Sequence, residues 1–254
     1  MNEEIISLSP GNIANEHICC ALDSKTSNIG VAAKKAWLCD RFKDGLQFKK
    51  LNARGKVFIE YIPAINAWMP VDADGYMLID CYWVSGSFKG KGYGKALLRK
   101  CEQDAVEKGM NGVIVVAGNK KKPFLSDKAF FIKQGYSVID KADPYFELLV
   151  KKFSRDAKDP NFKESAKTGM PDDIMGIDIF YTAQCPFTVP YVELLKPVIL
   201  SADIAVRTHQ IISKEEAQSH FCPVTTYSVF VNGKYCTNEI LTAAKLEKLI
   251  AQIG

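Results

Sequence analysis

One segment, residues 77–98, constrains the fold of this chain more than any other, because it joins three patterns in a fixed order. It reads MLIDCYWVSGSFKGKGYGKALL. An apolar run, a turn in which glycines alternate with other residues, and a stretch rich in Ala, Leu and Lys are typical of a strand, a tight turn and a helix. The apolar run, residues 77–85, is apolar on both faces, which predicts a strand in the middle of a covered sheet.

The turn within this segment has the properties of an anion site. Between Lys89 and Lys95 it carries Gly90, Gly92 and Gly94. Glycine has no side chain to obstruct an approaching phosphate, and the N–H groups in the first turn of a helix attract negative charge. We therefore predict a pyrophosphate site at the start of the helix. The alternative is a turn that only connects the strand to the helix.

This turn does not fit the two common nucleotide fingerprints, since it lacks both the Gly-Lys-Ser/Thr of a Walker A loop and the spacing G-x-G-x-x-G. It resembles the [Q/R]-x-x-G-x-[G/A] motif of the GNAT family of N-acetyltransferases, with Lys89 in place of Gln or Arg. The resemblance implies that the loop amides hold the pyrophosphate of acetyl-CoA. The cofactor-binding residues it implies are Trp83, Val84, Lys89, Gly90, Lys91, Gly92, Tyr93, Gly94 and Lys95.

The order of the predicted elements agrees with this resemblance over residues 1–153. We predict helices at 13–22, 29–42, 92–108 and 126–134, strands at 46–51, 56–63, 77–85, 112–118, 136–140 and 145–153, and a loop at 64–75. The family resemblance implies a GNAT acyl-CoA N-acyltransferase domain, which is α/β (α+β) with a mixed, mainly antiparallel sheet.

Residues 154–174 are polar and charged without periodicity, and we predict a linker there. Residues 175–254 predict strands at 177–181 and 204–212, helices at 189–195, 214–220 and 242–253, and a hairpin at 227–235 about Asn232-Gly233. This order resembles a smaller thioredoxin-like α/β domain. A GNAT domain followed by such a domain resembles bacterial proteins with a YoaP-like C-terminal domain.

Composition limits the other classes of function. The chain has 254 residues, of which 47% are hydrophobic, and we find no uncharged apolar run long enough for a membrane span. The acidic N-terminus does not resemble a secretion signal, so we expect a cytoplasmic protein, either monomer or homodimer. A net charge of +4 without a long basic run gives no support to nucleic-acid binding. The eight cysteines are expected to be free thiols, and the three histidines lack metal spacing.

An acetyltransferase also needs groups that move protons, because only a neutral amine can attack. Glu60 and Asp80 interrupt apolar strands, which makes them candidates for contact with substrate, although each carboxylate can instead have a structural partner. Strand alternation puts Asp80 on one face with Leu78, Tyr82 and Val84. The resemblance implies an oxyanion role for the backbone N–H near Val84. It also implies a tyrosine proton donor at position 131, where this chain has Phe131, so Tyr145 and Tyr93 are the remaining candidates.

The sequence leaves three functions open. The first is an acetyl-CoA-dependent N-acetyltransferase whose acceptor is an amine of a small molecule or a peptide. The second is a thiol-based redox protein acting through Cys185, which is predicted at a helix N-terminus where thiolate is favoured. Thr188 occupies the position of the second cysteine of the redox motif, so Cys222 or Cys236 would have to resolve a mixed disulfide. The third is a non-catalytic CoA-binding sensor.

Overall fold

The computed structural model describes residues 4–18, 22, 27–171 and 174–253. The chain divides into two compact units. Unit 1 comprises Met1–Leu22, Lys35–Ala67 and Val71–Phe162, and unit 2 comprises Asp23–Lys34, Trp68–Pro70 and Lys163–Gly254. In the described part of the chain, no helix is long and apolar enough to cross a membrane.

The elements up to residue 162 keep the predicted order from residue 27 to residue 152, apart from a short strand within the predicted loop at 64–75. They are β1 (Ile5–Leu8), α1 (Ser27–Phe42), β2 (Gln47–Leu51), β3 (Val57–Pro63), β4 (Val71–Asp72), β5 (Tyr76–Val84), α2 (Tyr93–Glu107), β6 (Gly112–Gly118), α3 (Lys128–Ile132), β7 (Ser137–Ala142), β8 (Phe146–Lys152) and β9 (Asn161–Phe162). Seven strands form one sheet in the order β1-β2-β3-β5-β6-β8-β7. Only β5 and β6 run parallel among the paired strands that the structure describes in this sheet, which is therefore mixed and mainly antiparallel.

The helix predicted at 13–22 is wrong over the residues that the structure describes. Residues 10–15 form turns, and residues 19–21 lie outside the described chain. The side chain of Asn12 accepts a hydrogen bond from Ser9 N at 2.8 Å and donates one to Ser7 O at 2.9 Å. Such local bonds compete with the helical ladder. Strand β1, which pairs with β2 at the edge of the sheet, was not predicted from the sequence.

The core of unit 1 lies between the sheet and helix α2. Leu97, Leu98, Cys101 and Ala105 are the buried residues of α2, and their spacing of three and four puts them on one helical face. Every residue of β6 is buried, as expected for a strand covered on both faces. This packing fixes where α2 begins, and so where the glycine turn must lie.

The segment predicted as a linker, 154–174, contains regular structure. β9 pairs antiparallel with β4, which lies within the predicted loop at 64–75, and α4 (Ser165–Thr168) follows it. Phe162 and Ala166 are buried. The polar composition of this segment gave no indication that these two residues are buried, and the strand that pairs with β9 is distant in sequence. The domain boundaries at 153 and 174 stay predictions.

Unit 2 contains β10 (Ile177–Tyr181), α5 (Thr188–Leu200), β11 (Val206–Gln210), α6 (Lys214–Gln218), β12 (Tyr227–Val231), β13 (Lys234–Thr237) and α7 (Ala243–Ile250). The sheet order is β11-β10-β12-β13, with β10 and β11 parallel and the other two pairs antiparallel. Asn232 and Gly233 turn the hairpin with φ of 48° and 74°, as a two-residue type I′ turn requires. The thioredoxin-like character of this unit stays a prediction.

Candidate active site

The two parallel strands of unit 1 separate part-way along their length. β5 pairs with β6 from Tyr76 to Ile79 only. Beyond that point β5 continues its pairing with β3, whereas β6 continues with β8. The strands therefore splay at their carboxyl ends, where ligands commonly bind in sheets of this kind.

A β-bulge at Asp80 determines which side chains face the core. Glu60 is opposite Cys81 and Tyr61 is opposite Ile79, so Asp80 is the extra residue. Because the bulge reverses the alternation, Tyr82 and Val84 pack with Ile79 in the core cluster that includes α2. The prediction that Tyr82 and Val84 share a face with Leu78 is wrong for this reason.

The backbone at the end of β5 directs an N–H group toward the gap between the strands. The N–H of Ser85 donates to Lys56 O at 3.1 Å, on the β3 side. Successive N–H groups of an extended strand point to opposite edges. The N–H of Val84 is therefore on the edge from which β6 has departed.

A cleft of about 800 Å³ opens at this end of the sheet, and it is lined by every predicted cofactor-binding residue except Lys91. Gly90 and Gly92 have φ of 76° and 86°. A Cβ on either would meet nothing within 4 Å, so these glycines are required by their backbone conformation and not by crowding. The first helical bond of α2 runs from Ala96 N to Gly92 O at 3.0 Å. The N–H groups of residues 93–95 precede this ladder.

A second wall of the cleft is formed by residues 119–125, which we call the basic loop. Lys121, Lys122 and Phe124 from this loop line the cleft. The Lys122 ammonium lies 4.0 Å from the centre of the Tyr145 ring. The described lining carries four lysines, Lys89, Lys95, Lys121 and Lys122, and one acid, Asp127. The cleft is thus suited to an anionic ligand.

Tyr82 also lines the cleft, and the sequence analysis did not select it. Its ring stacks on Phe130 at 5.0 Å and meets Phe131 edge-on at 5.6 Å. Burial, with a smaller effect of the Asp127 charge, raises the pKa of Tyr82 well above its ordinary value. The sequence did contain an indication that Tyr82 belongs to the site, since it carries a polar hydroxyl in an apolar strand that leads into the glycine turn.

The sequence matches known families at both ends of the chain. Residues 47–135 match the acetyltransferase (GNAT) family, and residues 206–248 match the YoaP-like family. A protein of Bacillus subtilis (strain 168), described as the uncharacterized N-acetyltransferase YoaP, is 44% identical over 245 residues, which cover 96% of this chain and 97% of that protein. The chain belongs to the GNAT acetyltransferase family.

Two solved acetyltransferase structures are similar to part of the chain. PaiA N-acetyltransferase from Thermoplasma acidophilum, solved in complex with coenzyme A, is 16% identical, covers 60% of this chain and 100% of its own, and has a TM-score of 0.43. A GNAT family acetyltransferase from Brucella melitensis, solved with acetyl-CoA, is 13% identical, covers 62% of this chain and 92% of its own, and has a TM-score of 0.37.

The predicted catalytic residues of this GNAT protein are not among the described residues that line the cleft. Glu60 is buried in the sheet, between Phe48 and Cys81 on the neighbouring strands. Asp80 is at the bulge. Tyr145 lies just before β8, with its ring beneath Lys122. Their roles stay predictions. Phe131, at the family's tyrosine position, is fully buried in the core.

The cysteines of unit 2 differ in exposure. The Thr188 hydroxyl, in the first turn of α5, lies 2.9 Å from Cys185 O and 2.5 Å from Thr182 O, and its one hydrogen is shared between these two carbonyl oxygens. Cys222 is buried, and burial raises the pKa of its thiol to about 12. Partial burial of the sulfur likewise raises the pKa of Cys236. Neither thiol is therefore enriched in the thiolate form that attacks a disulfide.

Proposed function

We propose that this protein transfers the acetyl group of acetyl-CoA to an amine of a small molecule or a peptide, by direct attack within a ternary complex. The observation that carries the proposal is the meeting of the glycine turn, the start of α2 and the β5–β6 gap in one cleft. Backbone N–H groups at a helix start favour a pyrophosphate. A strand gap beside them provides space for an extended arm that ends in a thioester.

The reaction forms a bond from the amine nitrogen to the thioester carbonyl carbon and breaks the carbon–sulfur bond. The sulfur leaves with the electron pair and takes up a proton, and the amine loses one. In our proposal the N–H of Val84 polarises the carbonyl oxygen, because it lies on the edge of β5 that faces the gap.

Proton transfer from the amine involves the carboxylates selected from the sequence. Glu60 or Asp80 would accept the amine proton. The departing sulfur would take its proton from solvent, because Tyr145, the other residue selected, lies beneath Lys122 of the basic loop. Since none of the three lines the cleft among the described residues, we propose that the carboxylates act through water.

Calorimetric titration of the purified protein with acetyl-CoA and with CoA tests the proposal. The informative variant is Gly92→Ala, and its matched control is Gly109→Ala. Both glycines flank α2, have positive φ (86° and 66°) and have open space where a Cβ would stand. Each substitution should cost a similar backbone strain of about 1 kcal/mol. Only Gly92 lines the cleft.

We expect the wild type and Gly109→Ala to bind both ligands, and Gly92→Ala to bind them at least about tenfold more weakly, because the turn no longer holds its amides in place. A screen of amines for release of free CoA thiol would then identify the acceptor. A wild-type protein that binds neither ligand would refute the proposal, as would equal binding by the two glycine variants.

A further inference from the structure

We propose that the basic loop, residues 119–125, is the site for the adenosine 3′-phosphate end of CoA. In this site Phe124 stacks on the adenine base, and Lys121 and Lys122 pair with the 3′-phosphate. The inference rests on the proposed function, since it concerns the other end of the same ligand.

The distribution of charge in the cleft is the first argument. Lys89 and Lys95 accompany the glycine turn, and Lys121 and Lys122 belong to the basic loop. CoA carries phosphate at two separate places, the pyrophosphate and the 3′ position of the ribose. The amides of the glycine turn account for the pyrophosphate. The lysines of the basic loop are left for the second phosphate.

The exposure of Phe124 is the second argument. Its side chain is 56% exposed and lines the cleft. Its φ is 58°, a left-handed conformation that bulky residues seldom adopt. Packing within the protein does not explain why this phenylalanine has a left-handed backbone conformation and an exposed ring. A purine base would cover the ring with a flat apolar face, as aromatic side chains do for bases in nucleic-acid sites.

The basic loop is held in place before any ligand arrives. At Gly118, where the loop begins, a Cβ would stand 2.6 Å from Lys120 O and 3.0 Å from the Lys122 side chain, so the loop folds tightly back on β6. The Tyr145 ring, 4.0 Å below the Lys122 ammonium, fixes that charge by a cation–π contact. A preorganised charge loses less conformational entropy on binding.

The phosphate part of the site is tested by comparing CoA with 3′-dephospho-CoA in calorimetric titrations. The variant is Lys121→Ala/Lys122→Ala. Lys133→Ala, at an exposed position outside the cleft lining, is a control for a general loss of positive charge. We expect the wild type to bind CoA about tenfold more tightly than 3′-dephospho-CoA.

The double variant should bind the two ligands equally, with its affinity for 3′-dephospho-CoA unchanged, and Lys133→Ala should behave as the wild type. Equal affinity of the wild type for the two ligands would overturn the phosphate site and leave the acetyltransferase proposal intact. A wild type that binds neither ligand would refute the acetyltransferase proposal itself.

The base part of the site is tested with Phe124→Leu and Phe124→Tyr. The probes are adenosine 3′,5′-bisphosphate, which lacks the pantetheine arm, and 4′-phosphopantetheine, which lacks the adenosine. Phe124→Leu should bind adenosine 3′,5′-bisphosphate about tenfold more weakly and 4′-phosphopantetheine with unchanged affinity. Phe124→Tyr, which keeps a ring, should bind both probes as the wild type does. A Phe124→Leu protein that binds the bisphosphate as tightly as the wild type would overturn the stacking role.

Discussion

The hydroxyl of Tyr82 occupies the space in which a side chain at Gly94 would begin. A Cβ built on Gly94 would stand 2.1 Å from the Tyr82 oxygen, whereas the next nearest atom, the ring Cζ, is at 3.4 Å. The GNAT motif accepts Gly or Ala at this position, but here the tyrosine on β5 excludes Ala. The position of the Tyr82 oxygen on β5 therefore determines which residue the glycine turn accepts at position 94.

We predict that Gly94→Ala destabilises the protein by about 1–3 kcal/mol, because Cβ and the hydroxyl cannot both be accommodated. The same change should weaken acetyl-CoA binding, since the first turn of α2 has to shift. In a Tyr82→Phe background the clash is absent, and the better helix propensity of Ala should make Gly94→Ala neutral or slightly stabilising. Urea unfolding of the four proteins measures the coupling. Additive effects of the two substitutions would contradict this relationship.

We predict that the unfolding free energy falls as the pH is lowered from 6.5 toward 3, through His220. Burial, with a smaller effect of His209, lowers the pKa of His220 from 6.5 to about 3. Within that window the unfolded chain binds a proton that the folded chain does not, so this contribution falls by about 1.4 kcal/mol per pH unit and is constant above it.

Denaturant unfolding between pH 4 and 7, on the wild type and on His220→Gln, measures this slope. The His220→Gln variant should lack the slope that His220 causes. The substitution also alters the contact of Nε2 with Ser228 Oγ at 2.8 Å, which changes the unfolding free energy by the same amount at every pH and leaves the slope unaffected. An equally steep pH dependence in His220→Gln would show that other groups cause it.

We predict that Tyr145→Phe leaves CoA affinity within about twofold of the wild type, because the ring beneath Lys122 is retained. Turnover with an acceptor amine should also stay within about twofold, because the contact with Lys122 places Tyr145 at the adenosine end of CoA, away from the sulfur. Tyr145→Leu removes the ring as well and should weaken CoA binding. A large fall in turnover by Tyr145→Phe at unchanged CoA affinity would instead identify Tyr145 as the proton donor and contradict this placement.

We predict that Cys185→Ser changes neither acetyl-CoA binding nor the release of CoA thiol. The neighbouring Thr188 bonds to backbone carbonyl groups and supplies no second thiol. Cys222→Ser is the matched control, because that buried thiol is also outside the proposed chemistry. Thiol-dependent reduction of a model disulfide that is lost only in Cys185→Ser would favour the redox alternative.

Local sequence patterns predicted much of the fold and the side of the cleft that the glycine turn forms. The glycine turn, β6 and β10 were placed correctly, because continuous apolar runs and glycines specify backbone structure over a few residues. The pairing of β4 with β9 was missed, since residues distant in sequence form it and the apolar pattern is too short to indicate a strand. The bulge at Asp80 was missed for a related reason: its position depends on the register between β3 and β5.

The sequence by itself determined that a strand, a glycine turn and a helix follow one another, and that lysines accompany the turn. Those features depend on the conformational preferences of neighbouring residues. The tertiary structure decided which side chains share the cleft. The bulge at Asp80 turned Tyr82 toward Gly94, and the loop after β6 brought Phe124 and Lys122 into the cleft lining. Contacts between strands and loops far apart in the chain are set by packing, and no short stretch of sequence contains them.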